Sequence, residues 1–304
     1  MITVNLFENI FGGSEYSVVD QVPENVRYTR RQMKYEGVTL FVDNTINDPL
    51  VRDVKSTYKI GWLREPRCLH PETYEGAIEN VDKFDFILTY DQDLIALDPH
   101  RFRFVPYGGI WISKSEWSIH PKRKNVSMLF GEKKATRGHQ LRHEIYDAIG
   151  DNYGIDYYGY HGTPTDYGPH TKLQVLKDYR YSIVIETCRE EGLFTEILLD
   201  CFAVGTIPIF WGAPDIGNYF NARGILSFSN INELKYILNS LGYPGNGLRH
   251  SPDLYGNRYY AREYRRMLPY IGINHIAMKK YAITEDWLYQ RYFADWKLED
   301  WLGR

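Results

Sequence analysis

The sequence predicts an α/β protein made of two doubly wound domains. Two observations carry this. Short apolar runs of strand length alternate with amphipathic, helix-compatible stretches along most of the chain. The texture breaks once, at the polar and basic stretch 113–125 (SKSEWSIHPKRKN), which has a proline, no periodicity and the character of a linker. Length agrees, because 304 residues exceed one typical domain of roughly 100–200 residues. With 43% hydrophobic and 25% charged residues, the chain is neither disordered, collagen-like nor a coiled coil.

In the first part, apolar runs at 3–7, 38–43, 58–63, 86–90 and 102–106 are bounded by turn residues, as in parallel strands buried on both faces. The polar stretches 29–35 and 72–81 between them are helix-compatible. Past the linker, 126–130 reads as a strand and 137–149 as a helix with Leu141, Ile145, Ala148 and Ile149 on one face. A strand at 155–158 precedes the loop GYHGTPTDYGPH, a helix at 173–179, a strand at 181–186 and a helix at 194–203. Strands at 206–211 and 225–228 and a helix at 231–241 complete the second unit. Residues 255–298 read as two helices broken at Pro269, and their Tyr/Trp density points to a last helix packing back on the first domain. The expected organisation is 1–115, 116–275 and a returning helix at 276–304. Ligands of open α/β sheets bind outside the carboxyl ends of the strands. The site is therefore expected in a cleft, on loops following Leu63, Phe130, Glu186 and Trp211.

Composition excludes several functions. The net charge of −3, from 36 basic and 39 acidic residues, implies no strong attraction to nucleic acid or an anionic membrane. Three scattered cysteines (Cys68, Cys188, Cys201) suit a reducing compartment, the cytoplasm, and make no disulfide or zinc scaffold. The start MITVNLFENIFGG lacks the features of a signal peptide, and no apolar run approaches the roughly 20 residues of a transmembrane segment. The 26 tyrosines suit packing first and sugar binding second. Gly12-Gly13-Ser14, near the carboxyl end of the first strand, reads as a site loop or simply a turn. No HExxH, CxxC, GxSxG or GxxxxGK[ST] occurs.

The most informative stretch is 179–228. A buried strand ends at Glu186, and the loop TCREEG leads to a helix with Thr195 and Glu196 at its start. The free N–H groups of such a start are a seat for phosphate. Strand TIPIFWG then ends in the turn Gly212-Ala213-Pro214. Glu186 and Glu196 can accept hydrogen bonds from ribose or sugar hydroxyls.

This stretch resembles the signature of glycosyltransferase family 10, the α-1,3/4-fucosyltransferases, which runs F-E-N-S, Y-V-T-E-K, then a helix and a P-I-x-W-G strand. Glu186 matches the first glutamate, Thr195-Glu196 match T-E, and 205–212 (GTIPIFWG) match the end. Lys172 and Tyr179 fall where the family has a lysine and a tyrosine before this strand. DFILTYDQD, VPYG and the helix RHEIYDAI are similar to further family patches. The resemblance implies a GT-B fold of two Rossmann-like domains, the first on the acceptor side and the second binding the nucleotide sugar. It implies transfer of a sugar, L-fucose from GDP-fucose favoured, to a glycan hydroxyl with inversion. Arg142 would then contact the donor diphosphate, with Arg137 one turn earlier as competitor. Glu65, in GWLREPR, falls where the family has its general base; pairing with Arg64 or Arg67 is the plainer reading.

Three family positions are altered. The lysine of T-E-K is Ile197, the asparagine of F-E-N is Thr187 and the tyrosine of Y-V-T-E-K is Leu193. Either Arg189 or Lys172 substitutes, or another nucleotide sugar is used, or the chain is an inactive glycan-binding relative. The expected donor set is Arg142, Lys172, Glu186, Arg189, Thr195, Glu196 and Gly212. No metal or cofactor is expected; Asp91-Gln92-Asp93 spells the D-x-D that holds Mn²⁺ in other sugar transferases.

Overall fold

Parallel strands organise each of the two units into which the chain divides. A computed structural model describes residues 1–9, 21–160, 162–242 and 256–294. Gly12-Gly13-Ser14, His161 of the long loop and 295–304 lie outside these. Unit 1 comprises Met1–Gly109, Glu190–Leu193 and Ile283–Arg304; unit 2 comprises Ile110–Arg189 and Phe194–Ala282.

Unit 1 has strands β1 (Ile2–Phe7), β2 (Val26–Arg30), β3 (Lys34–Val42), β4 (Lys55–Trp62), β5 (Phe86–Thr89) and β6 (Phe102–Phe104), ordered β2-β1-β3-β4-β5-β6. Every pairing is parallel. Alternate residues feed opposite faces, which is why the strands read as unbroken apolar runs. Leu40, Ile60, Trp62, Phe86 and Leu88 pack on one side, and Phe41 and Ile87 on the other. Helices α1 (Leu50–Asp53), α2 (Pro71–Asn80) and α3 (Gln92–Leu97) connect the strands.

The stretch 29–35 is strand rather than helix: it holds the end of β2 and the start of β3. β2 is the sheet edge and only half-buried, and it carries Arg27 and Arg30, which break the apolar signature.

Unit 2 has β7 (Lys124–Phe130), β8 (Ile155–Gly159), β9 (Tyr179–Ile185), β10 (Ile207–Trp211) and β11 (Leu226–Ser227), ordered β11-β10-β9-β7-β8 and again parallel. Around them run α4 (Arg137–Ile149), α5 (Pro169–Leu176), α6 (Glu196–Val204), α7 (Ile231–Gly242) and α8 (Gly256–Met278). The expected linker is folded into this unit. Lys122 Nζ donates to Lys177 O (2.8 Å), Val204 O (2.8 Å) and Thr206 Oγ1 (2.9 Å) at the carboxyl ends of α5 and α6, and burial pulls its pKa down to about 7.

Helix α8 runs straight through Pro269 instead of breaking there. Anchors on both sides hold it. Tyr264 OH donates to Gly205 O (2.8 Å), and Asn274 bonds Asn221 N (2.7 Å) and Asn221 O (3.1 Å). The chain bends later, and α9 (Thr284–Leu288) with the turn Tyr289–Phe293 belongs to unit 1. There Leu288, Tyr292 and Phe293 join the core, and Tyr292 OH donates to Phe104 O (2.7 Å). Among the described residues no helix is long and apolar enough to cross a membrane.

Candidate active site

In unit 2 the strand order reverses between β7 and β9, and doubly wound sheets place their ligand outside the carboxyl ends at such a point. Six of the expected residues, Arg142, Lys172, Glu186, Thr195, Glu196 and Gly212, are linked there by contacts or charge. Thr136 caps α4, its Oγ1 accepting from His139 N (3.2 Å). Gly138 then lies against the end of β9: its N–H donates to Thr187 O (3.0 Å), and a Cβ there would stand 1.8 Å from Glu186 O. One turn on, this contact brings Arg142 Nη2 to Ile185 O. Burial pulls the half-buried guanidinium's pKa down, while the Glu186 and Glu196 carboxylates push it up. Arg137 is spent elsewhere, in a two-point ion pair with Glu144 on the exposed face of α4 (2.5 and 2.9 Å).

Glu186, 1% exposed, receives Thr195 N on Oε1 (2.8 Å) and Thr195 Oγ1 on Oε2 (2.9 Å). The chain's own carboxylate thus takes the Thr195 N–H at the α6 N-terminus, part of the seat expected for phosphate. Burial pushes the Glu186 pKa up to about 8, with Glu196 acting the same way and Thr195 and Arg142 opposing. Gly212 gives this side chain room: a Cβ would stand 2.7 Å from Glu186 Cγ and 2.3 Å from Phe210 Cζ. Arg189 is exposed on the loop after β9.

Lys172, in the first turn of α5, has Nζ 3.7 Å from Glu196 Oε1 and 5.4 Å from the centre of the Trp111 ring. Asp200, one turn after Glu196, fixes that tryptophan by accepting from Trp111 N (2.9 Å) and Ile112 N (3.1 Å). Burial pushes the Asp200 pKa up to about 7, with Lys172 opposing. Sequence reasoning missed Asp200, although a carboxylate inside the apolar helix EILLDCFAV was a signal. Tyr179 stands at the amino end of β9, away from Glu186, and bonds Tyr158 OH (2.8 Å).

Glu65 belongs to unit 1, where the order reverses between β1 and β3. It is half-buried just after β4. Tyr107 OH donates to Glu65 Oε1 (3.4 Å), and Tyr74 OH donates to Glu65 O (2.9 Å). Asp43 Oδ1 accepts from Arg64 N (2.7 Å) and Glu65 N (3.0 Å). Arg64 stacks over Trp62 and Tyr107, and Arg67 pairs with Asp91 Oδ2 (2.8 Å). Asp91 Oδ1 caps α3 by accepting from Leu94 N (3.0 Å), so the first carboxylate of D-x-D is engaged on both oxygens. Asp93 is exposed.

Chemically, the unit 2 edge offers two cations and a carboxylate, Arg142, Lys172 and Glu196, suited to a diphosphate and to hydroxyls. Unit 1 offers the Glu65 carboxylate on a backbone held by Asp43 and Tyr74.

No protein-family profile matches the chain. It is 27% identical over 103 residues to the α-(1,3)-fucosyltransferase FucT of Helicobacter pylori, a match covering 34% of this chain and 21% of that protein. One crystal structure of an α1,3-fucosyltransferase with GDP shares its fold at TM-score 0.50 and 15% identity, covering 93% of this chain and 92% of the other. A second α1,3-fucosyltransferase structure gives 0.51 and 16%, covering 88% and 80%. The α/β fold is thus the one expected from the resemblance.

Proposed function

We propose that the chain is an inverting glycosyltransferase that moves L-fucose from GDP-fucose to a glycan hydroxyl, with unit 2 binding the donor and unit 1 supplying the base. The observation that carries this is the Arg142–Glu196–Lys172 constellation at the carboxyl edge of the unit 2 sheet. The similarity to a fucosyltransferase over 103 residues, and to the fold of one crystallised with GDP, supports the donor class.

In this reading the acceptor oxygen attacks the anomeric carbon as Glu65 takes its proton. The bond from that carbon to the diphosphate breaks on the opposite face, which inverts the configuration. Arg142 and Lys172 stabilise the charge gathering on the departing GDP, and Glu196 holds Lys172 and a donor hydroxyl. Lys172 replaces the lysine that Ile197 cannot provide, while Glu186, Thr195 and Gly212 build the start of α6 on which Glu196 stands. Arg189 reaches the donor from its loop. The three free cysteines suit the cytoplasm as the place of action.

Turnover of GDP-fucose, with a Glu65→Gln variant beside the wild type, tests the reading. The variant should lose roughly 10²- to 10⁴-fold in kcat with little change in KM. Wild-type kcat in that variant would remove Glu65 from the base role. Thr187, Leu193 and Ile197 favour a second reading, in which the donor is another nucleotide sugar; turnover of a UDP- or dTDP-sugar in preference to GDP-fucose would establish it.

A further inference from the structure

Asp43 combines three features that oppose folding. Its φ of +50° puts a side chain in the left-handed region. The carboxylate is buried at 3% exposure, and its Oδ2 has no hydrogen-bond partner among the described residues. The turn around it is nevertheless firmly made. It begins where β3 ends, and Thr45 Oγ1 lies 3.0 Å from Phe7 O and 2.8 Å from Val42 O, tying the ends of β1 and β3 together. The Asp43 Oδ1 atom accepts both amides of the dipeptide that carries Glu65.

We propose that Asp43 is a positioning residue for Glu65: its ionised carboxylate gathers the Arg64 and Glu65 N–H groups and thereby sets where the Glu65 side chain stands. This rests on the reading of Glu65 as the base. A charged acceptor holds two amides more tightly than a neutral one, so the grip depends on ionisation. The groups that face Asp43 are Arg64 and Glu65 from the loop after β4 and Tyr74 from α2; Glu285 of α9 acts on Arg64 in turn. Burial pushes the Asp43 pKa up to about 6. Below that pH the carboxyl is protonated, the grip slackens and kcat falls; above it the grip is complete.

Three variants test this in GDP-fucose turnover. Asp43→Gly relieves the backbone conformation and deletes the acceptor, so kcat should fall roughly 100-fold, with KM and melting temperature little changed. Asp43→Asn keeps an acceptor oxygen and tolerates the left-handed conformation, so kcat should fall less and lose the acid limb near pH 6. Glu65→Gln separates the two claims. If it keeps wild-type kcat, the base reading fails. If it is inactive while Asp43→Gly turns over at the wild-type rate, the positioning role fails. A substrate-free measurement stands beside these: in an NMR titration the Arg64 and Glu65 amide protons should shift together, with a common midpoint near pH 6 that Asp43→Asn abolishes. Amides that titrate independently, or that titrate unchanged in Asp43→Asn, overturn the proposal.

Discussion

Lys172, in the first turn of α5, stands 3.7 Å from Glu196 Oε1, while Ile197 next to that glutamate brings no charge. On the proposed function, Lys172 is the cation that Ile197 does not supply. Lys172→Ala should therefore weaken GDP binding roughly tenfold by calorimetry, and adding Ile197→Lys should restore much of it. Buried carboxylates make a second prediction. Glu186 and Asp200 have folded pKa values of about 8 and about 7, above their unfolded values. The folded state therefore holds more protons than the unfolded state in the window up to about 8, and stability from these groups falls as pH rises through it. Asp200→Asn keeps an acceptor for Trp111 and Ile112 and removes the charge. It should stabilise the protein in urea unfolding near pH 8 and do little near pH 5. Glu186, Glu196 and Gly212 were legible because they stand within one contiguous stretch of about 27 residues. Asp43 and Asp200 were not, because the amides they receive lie 21 and 89 residues away in the chain, beyond any local pattern.

Helix α4 shows how an element places a residue. Gly138 lets it touch the end of β9, and Arg142 reaches Ile185 only because that contact exists. Gly138→Ala puts a methyl 1.8 Å from a backbone oxygen, so the helix must shift. Circular dichroism melting should show a loss of about 1–3 kcal/mol, and nucleotide binding should weaken alongside. Helix α8 makes the opposite case. Pro269 is exposed and mid-helix, where it removes one backbone hydrogen bond. Pro269→Ala should stabilise the protein by about 1 kcal/mol or more, read from the same melting curve. The sequence placed a break at Pro269 because propensity sees only the missing bond. The tertiary anchors Tyr264 and Asn274 decide the matter. Central strands were legible for a simple reason: both faces are buried along their carboxyl halves, so those positions are mostly apolar. The stretch 29–35, which joins edge strand β2 to β3, is exposed or half-buried throughout and so read as helix-compatible.

The whole molecule repeats one plan. Each unit is a parallel sheet whose order reverses beside its first strand, and the residues of interest follow strand carboxyl ends in both: Asp43 and Glu65 in one, Glu186 and Gly212 in the other. Alternating apolar and amphipathic segments made that plan readable. The return of α9 to unit 1 follows the reading of a last helix packing back on the first domain, whereas the placing of Glu190–Leu193 in unit 1 was not legible, since it depends on contacts between distant parts of the chain. On the proposed function, the unit 2 edge grips a nucleotide diphosphate through Arg142. A thermal-shift titration with GDP, on wild type and on Arg142→Ala, puts this to the test. At about a hundredfold excess over Kd, GDP should raise the wild-type melting temperature by about 5 °C and leave the variant almost unmoved. No shift with GDP in the wild type, or an equal shift in both proteins, would contradict it.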